Sequence, residues 1–149
     1  MNTLTVKCSA CGAANRLPAG KQHLGPKCGR CGKKLDLSRA AVPVELSDAD
    51  FQGFVAHVSM PVMVDFFSPT CGPCQMVAPV IDSLARRYLQ RMIVAKLDTS
   101  RHPQTPSRFR IQGVPTLLFF KNGHQVDQLV GAADEATLAR KMDSVLSGF

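Results

Sequence analysis

Tryptophan is absent, tyrosine occurs once, and the first 40 residues contain no aromatic side chain. A segment that short, without large rings, cannot bury a core of its own, and chains of such size usually depend on disulfides or a metal. Acid is equally scarce there. Eight Lys and Arg face Asp36 alone, whereas residues 41–149 hold ten charges of each sign, so the whole net charge of +7 sits at one end. Long apolar runs are missing too. Met1 to Cys8 lacks the apolar segment of about 7–15 residues that marks a secretory signal. Nothing approaches the roughly 18 apolar residues of a membrane-spanning helix. A cytoplasmic chain without a membrane partner is expected, in a compartment that keeps thiols reduced.

Six cysteines are present nonetheless, in three Cys-x-x-Cys pairs in two chemical settings. In that compartment such pairs point to metal binding or catalysis rather than to a disulfide scaffold. Cys8/Cys11 and Cys28/Cys31 lie in the basic segment, each pair followed by glycine, Gly12 and Gly32. Their spacing is that of a four-cysteine zinc site, and a closed four-thiolate shell is structural rather than catalytic. Lys7, Lys27 and Arg30 favour thiolate over thiol. Iron in a rubredoxin-like site uses similar pairs, but such modules carry an aromatic core, absent here. His23 could replace a cysteine, although with four thiolates present it reads as a solvated loop histidine. The basic residues could mark a nucleic-acid surface, but with no interleaved aromatics and no evident recognition helix nucleic acid is not expected.

The remainder reads as alternating strands and helices. Residues 1–37 form two loops ending Cys-x-x-Cys-Gly, and 38–44 a linker. Val42–Leu46 is a strand, and Ser47 with Asp50 forms a capping-box signature ahead of Phe51, Phe54, Val55 and Val58 at helical spacing. Val62–Phe67 is a buried strand, and Cys74, Val77, Ala78, Ile81, Leu84, Ala85 and Tyr88 keep one face of a helix kinked at Pro79. Ile93–Leu97 is a strand and Pro103–Phe109 a short helix. Thr116–Phe120 and Gln125–Val130 flank the hairpin signal Asn122-Gly123. Leu138, Met142, Val145 and Leu146 mark a last helix. This order implies an α/β fold with a mixed sheet covered by helices.

Cys71 falls where a strand ends and a helix begins, where free N–H groups and the helix dipole favour a thiolate. Cys74, one turn on, faces the core. An accessible attacker with a shielded resolver is what a dithiol reductant requires. Asp65, one acid among five apolar residues, is costly to ionise unless partnered, which favours a functional role. His57, His102 and His124 read as incidental, and the other methionines as core filler.

From about residue 45 to 147 the chain resembles thioredoxin. The shared elements are Val64-Asp65-Phe66, Cys71-Gly72-Pro73-Cys74, Met76, Ala78-Pro79, Val94-Ala95-Lys96-Leu97, Gly113-Val114-Pro115-Thr116, Phe120-Lys121-Asn122-Gly123 and Gly131. With the four-cysteine segment it resembles the bacterial thioredoxin-2 subgroup, which carries an N-terminal zinc-binding extension. The resemblance implies the thioredoxin fold over 45–149 beside a small zinc-ribbon-like module over 1–37 holding one structural Zn²⁺ on Cys8, Cys11, Cys28 and Cys31. It implies a protein-disulfide reductase without an organic cofactor of its own, recycled by thioredoxin reductase and acting on disulfide-containing clients. Cys71 would attack and Cys74 resolve. Asp65, paired with Lys96, would move the Cys74 proton. Pro115 would be a cis-proline, with Val114, Thr70, Gly72, Pro73 and Gly131 contacting substrate. The family usually has two tryptophans before the motif, and here Phe67 and Thr70 stand in those places. A zinc-ribbon binding protein using this fold as scaffold, and an oxidase or isomerase, remain as alternatives. Two further expectations concern the metal. Chelation is expected to unfold residues 1–40 alone, and strong oxidants to eject zinc and join its four cysteines in disulfides.

Overall fold

The computed structural model describes residues 1–148. Strands β1 (Thr3–Lys7) and β2 (Ala14–Pro18) pair antiparallel, and a 3-10 helix, Ala19–Leu24, follows them. Five further strands are β3 (Val44–Leu46), β4 (Val62–Phe67), β5 (Ile93–Asp98), β6 (Thr116–Lys121) and β7 (His124–Val130). They form one mixed sheet in the order β3-β5-β4-β6-β7. Helices α1 (Phe51–His57), α2 (Gly72–Arg87), α3 (Gln104–Arg108) and α4 (Glu135–Ser147) lie between and after them. Among the described residues no helix is long and apolar enough to cross a membrane.

Local chemistry accounts for the boundaries. Before α1, the Ser47 N–H donates to Asp50 Oδ1 at 2.6 Å and the Asp50 N–H to Ser47 Oγ at 3.3 Å, the reciprocal bonds of a capping box. Asp134 caps α4 by accepting the Thr137 N–H at 2.8 Å. Asn122 and Gly123 adopt φ of 52° and 80°, the two left-handed positions that a tight hairpin between β6 and β7 requires. β4 is buried on both faces because it runs centrally, parallel to β5 and antiparallel to β6. Its alternation sends Val62, Val64 and Phe66 to a cluster with Phe51 and Phe120, and Met63 to the opposite cluster with Val77, Ile81 and Leu84 of α2. Asp65 shares the parity of Met63 and so belongs to the face that α2 covers.

The structure corrects the loop reading of residues 1–37. Leu4 and Val6 are buried between exposed Thr3, Thr5 and Lys7, a period-two pattern that makes a strand and pairs it with β2. Leu4, Val6, Leu17, Leu35 and Leu37 join the same apolar cluster as Val44, Leu46 and Phe51. A segment with too little apolar mass for its own core thus shares its neighbour's. Residues 38–44 are held rather than loose. The Val42 N–H donates to Gln22 Oε1 at 3.1 Å while Gln22 Nε2 donates to the Val42 carbonyl, and Gln22 is buried. Asn2 does the same for the next turn, donating to Pro43 O at 3.0 Å and accepting the Glu45 N–H at 2.9 Å. Val44 already belongs to β3.

Two smaller expectations also fail. Ala78 is exposed, because the buried stripe of α2 runs through Cys74, Val77, Ile81, Leu84 and Ala85 and leaves position 78 outside it. The methionines outside the shared motifs are not uniformly core filler: Met63, Met92 and Met142 are fully buried, but Met1 is 59% exposed.

Candidate active site and metal centre

The two N-terminal turns bring Cys8, Cys11, Cys28 and Cys31 together, their sulfurs all within 4.8 Å of one another. Each turn closes with a backbone bond, Gly12 N–H to Cys8 O at 2.8 Å and Gly32 N–H to Cys28 O at 2.9 Å. Both glycines sit at positive φ, 79° and 77°. Tetrahedral thiolates at about 2.3 Å from zinc lie about 3.8 Å apart. Cys8–Cys31 and Cys11–Cys28 stand at 3.7 and 3.6 Å, so the donors fit that ion. Two of the sulfurs, Cys8 and Cys28, are biased toward thiolate, whereas against the Ala13 backbone donor burial and the neighbouring cysteine sulfurs push Cys11 up to about 11. Backbone N–H groups from Cys31 and Arg30, with the Asn15 amide between them in strength, pull Cys28 down to about 6. Backbone donors from Cys11 and Ala10 likewise lower Cys8. Asn15 Nδ2 lies 3.5 Å from Cys28 Sγ, and its Oδ1 accepts the Gly29 N–H at 2.9 Å. Sequence reading missed Asn15, since a lone asparagine outside the cysteine turns carries no spacing signal. His23 is not a solvated loop residue. Its Nδ1 is buried without a hydrogen-bond partner among the described residues, and burial lowers its pKa.

The third pair stands apart from this cluster, joined as a Cys71–Cys74 disulfide with Cα atoms 5.2 Å apart. Cys71 is the N-cap of α2, and its Sγ accepts the Cys74 N–H at 3.2 Å. Cys71 is half-buried, whereas Cys74 is 4% exposed. The Val114 carbonyl approaches Cys71 Sγ at 3.5 Å. The Val114–Pro115 peptide is cis, and the Gly131 N–H donates to Pro115 O at 2.9 Å. Segments around 71 and 114 therefore meet at the Cys71 sulfur, with Gly131 bonded to Pro115 next along the chain. Gly72, Pro73 and Thr70 are exposed beside it.

Asp65 lies in β4 with 3% exposure, and its Oδ1 has no hydrogen-bond partner among the described residues. Burial pushes its carboxyl up to about 7, with the Lys96 charge pulling the other way. Asp65 and Lys96 are register partners on neighbouring parallel strands. No ion pair joins them among the described residues. Lys96 Nζ instead lies over the Phe67 ring, 5.5 Å from its centroid. Lys96 acts on Asp65 through space, which leaves the carboxyl poised near neutral pH.

The family model described as Thioredoxin matches residues 42–144. The chain belongs to the thioredoxin family. A second family model, described as Thioredoxin 2, N-terminal, matches residues 7–33, so the chain is a thioredoxin of the type that carries a zinc-ribbon extension. It is 43% identical to Thioredoxin 1 of Synechococcus elongatus over 106 residues, which cover 71% of this chain and 99% of that one. It is 44% identical to a thioredoxin of Synechocystis over 102 residues, 68% of this chain and 95% of the relative. To Thioredoxin C-3 of Corynebacterium nephridii it is 31% identical over 143 residues, 96% of each chain, so that thioredoxin aligns across the N-terminal segment as well.

Proposed function

We propose that this thioredoxin is a cytoplasmic protein-disulfide reductase that cycles Cys71 and Cys74 between dithiol and disulfide. The observation that carries the reading is the half-exposed Cys71 capping α2 beside the Val114 carbonyl, with Cys74 buried one turn behind. The Cys71 thiolate attacks one sulfur of a client disulfide, forming a mixed disulfide and expelling the first client thiolate. Cys74 then gives its proton to Asp65 and attacks Cys71 Sγ, expelling the second client thiolate and leaving the Cys71–Cys74 disulfide. A nearly buried carboxylate near pKa 7 can take that proton and pass it on at neutral pH. Thioredoxin reductase, drawing on NADPH, returns two electrons to the pair. Thr70, Gly72, Pro73, Val114 and Gly131 frame the client segment, with Pro115 fixing the Val114 backbone against it.

The test is insulin reduction coupled to NADPH oxidation through thioredoxin reductase. Sustained turnover is expected. A zinc-ribbon binding protein using the fold as a scaffold would oxidise no NADPH.

The same site predicts the consequence of Thr70. A ring at that exposed position adds contact area only for substrates large enough to reach it. Thr70→Trp should change kcat/KM for insulin severalfold and for a small aromatic disulfide by less than twofold, on the order of 1 kcal/mol for the ring. Steady-state kinetics on the two substrates decide this, and equal effects would contradict it.

We propose that Cys8, Cys11, Cys28 and Cys31 hold one structural Zn²⁺, whose bonds supply the folding energy of the two N-terminal turns. Because Leu4, Val6 and Leu17 share their neighbour's cluster, metal removal should reach further than residues 1–40. Chelation is expected to lower the thermal midpoint of the remaining domain by several degrees while insulin reduction continues. Calorimetry before and after chelation measures both. Under excess peroxide, zinc should leave as the four thiolates are oxidised to disulfides, with the peroxide reduced to water. Zinc release followed by a chromogenic chelator tests that step.

A further inference from the structure

At the end of α2 remote from the cysteines, an open cleft of about 310 Å³ runs between the second N-terminal cysteine turn and the helix. Lys34, Leu35 and Asp36 form one wall, and Arg86, Arg87 and Arg91 the other. Four cations face one acid. Arg86 and Arg87 close the last turn of α2, where cations oppose the helix dipole. That accounts for neither Arg91, beyond the helix, nor Lys34, from another part of the chain.

The arginines are also positioned. The Arg91 guanidinium lies 4.4 Å from the Tyr88 ring centroid and that of Arg87 5.5 Å from it. Tyr88 itself is fully buried, its hydroxyl donating to Asp143 Oδ1 at 2.7 Å. A guanidinium held against a fixed ring loses little freedom when its N–H fork meets a carboxylate. Arg87 spends part of its charge on Glu135 at 3.4 Å, but among the described residues Lys34, Arg86 and Arg91 form no ion pair. Asp36 is occupied, accepting the Ser38 N–H at 3.0 Å.

We infer that this cleft is an auxiliary docking site for an acidic segment of the polypeptide whose disulfide Cys71 reduces, an inference that rests on the reductase reading above. Paired carboxylates match guanidinium forks. Among the described residues no aromatic lines the cleft to stack a base, so a peptide fits better than nucleic acid. The 16 residues of α2 separate cleft from disulfide by about 24 Å. An extended chain covers that in about seven residues. Clients favoured by the site therefore carry their acids roughly seven or more residues from the reducible disulfide, and acids closer than that gain nothing.

The experiment uses the full zinc-loaded chain and three synthetic peptides with the same disulfide. One carries a run of glutamates about eight residues away, the second glutamines at the same place, and the third glutamates directly beside the cysteine. The first should show a KM about tenfold below the other two at low salt, the scale of a few exposed charge contacts acting together. The difference should vanish at high salt. The double variant Arg86→Glu/Arg91→Glu should abolish it, while Arg86→Lys/Arg91→Lys keeps most of it and a small aromatic disulfide is reduced equally by all. Anisotropy of the labelled glutamate peptide on the oxidised protein gives binding without turnover, so a failed reductase reading is told apart from a failed cleft. Equal KM for the three peptides, a preference that survives charge reversal, or tighter binding of a DNA oligonucleotide than of the glutamate peptide would overturn the assignment.

Discussion

Asp65→Asn is expected to raise the thermal midpoint at pH 8 by roughly 5–10 °C and to leave it nearly unchanged at pH 4. Burial holds this carboxyl at about 7 in the folded chain, against about 3.9 when unfolded. The folded state therefore binds the proton more tightly, and its stability falls as pH rises from about 4 to about 7. At 1.36 kcal/mol per unit the cost of carrying the charge at pH 8 has a ceiling of about 4 kcal/mol. An amide of the same shape removes it. The variant should also resolve the mixed disulfide more slowly, on the order of a hundredfold for a lost proton acceptor. Thermal unfolding at both pH values, with single-turnover insulin reduction, checks the two effects. An equal gain at pH 4 and pH 8 would mean that Asp65 is not the titrating group.

The second large effect separates the roles of the two cysteines. Cys71→Ser should reduce insulin no faster than the uncatalysed background, because the half-exposed sulfur at the start of α2 beside Val114 is the proposed attacker. Cys74→Ser should complete the first attack and stop, leaving a stable mixed disulfide visible as a mass adduct of the client. Its Oγ cannot displace the bond that the buried Cys74 thiolate would break. Turnover by either variant near the native rate, or an adduct on Cys71→Ser, would reverse the assignment.

Much of the fold was legible because its elements are strongly periodic or sharply punctuated. β4 was an apolar run with one acid, Asn122-Gly123 marked the β6–β7 hairpin, and Ser47 with Asp50 formed the capping box seen ahead of α1. The cysteine spacings separated two chemistries that the structure keeps apart in space. The N-terminal hairpin was hidden because Leu4, Val6 and Leu17 are few and spaced among polar residues, and their burial depends on a surface supplied by Val44 and Phe51. His23 misled for the same reason, since it lines a crevice with Val42, Ala85 and Leu89, which are distant in the chain. The Asp65–Lys96 relation was legible as a pairing of types, but its geometry was not. Only the register and the position of Lys96 over Phe67 show that the two charges act through space. The cleft beside Tyr88 could not be read at all, because its two walls are some 50 residues apart in the chain.

One measurement bears most directly on the division of labour between the two cysteine sets. Reduced, zinc-loaded protein is mixed with excess insulin, alkylated, and examined by native mass spectrometry with peptide mapping. The account predicts reduced insulin chains, one retained zinc ion, and a single disulfide linking Cys71 to Cys74, with Cys8, Cys11, Cys28 and Cys31 still thiolates. Intact insulin, or a disulfide formed among the four N-terminal cysteines with loss of the metal, would contradict it.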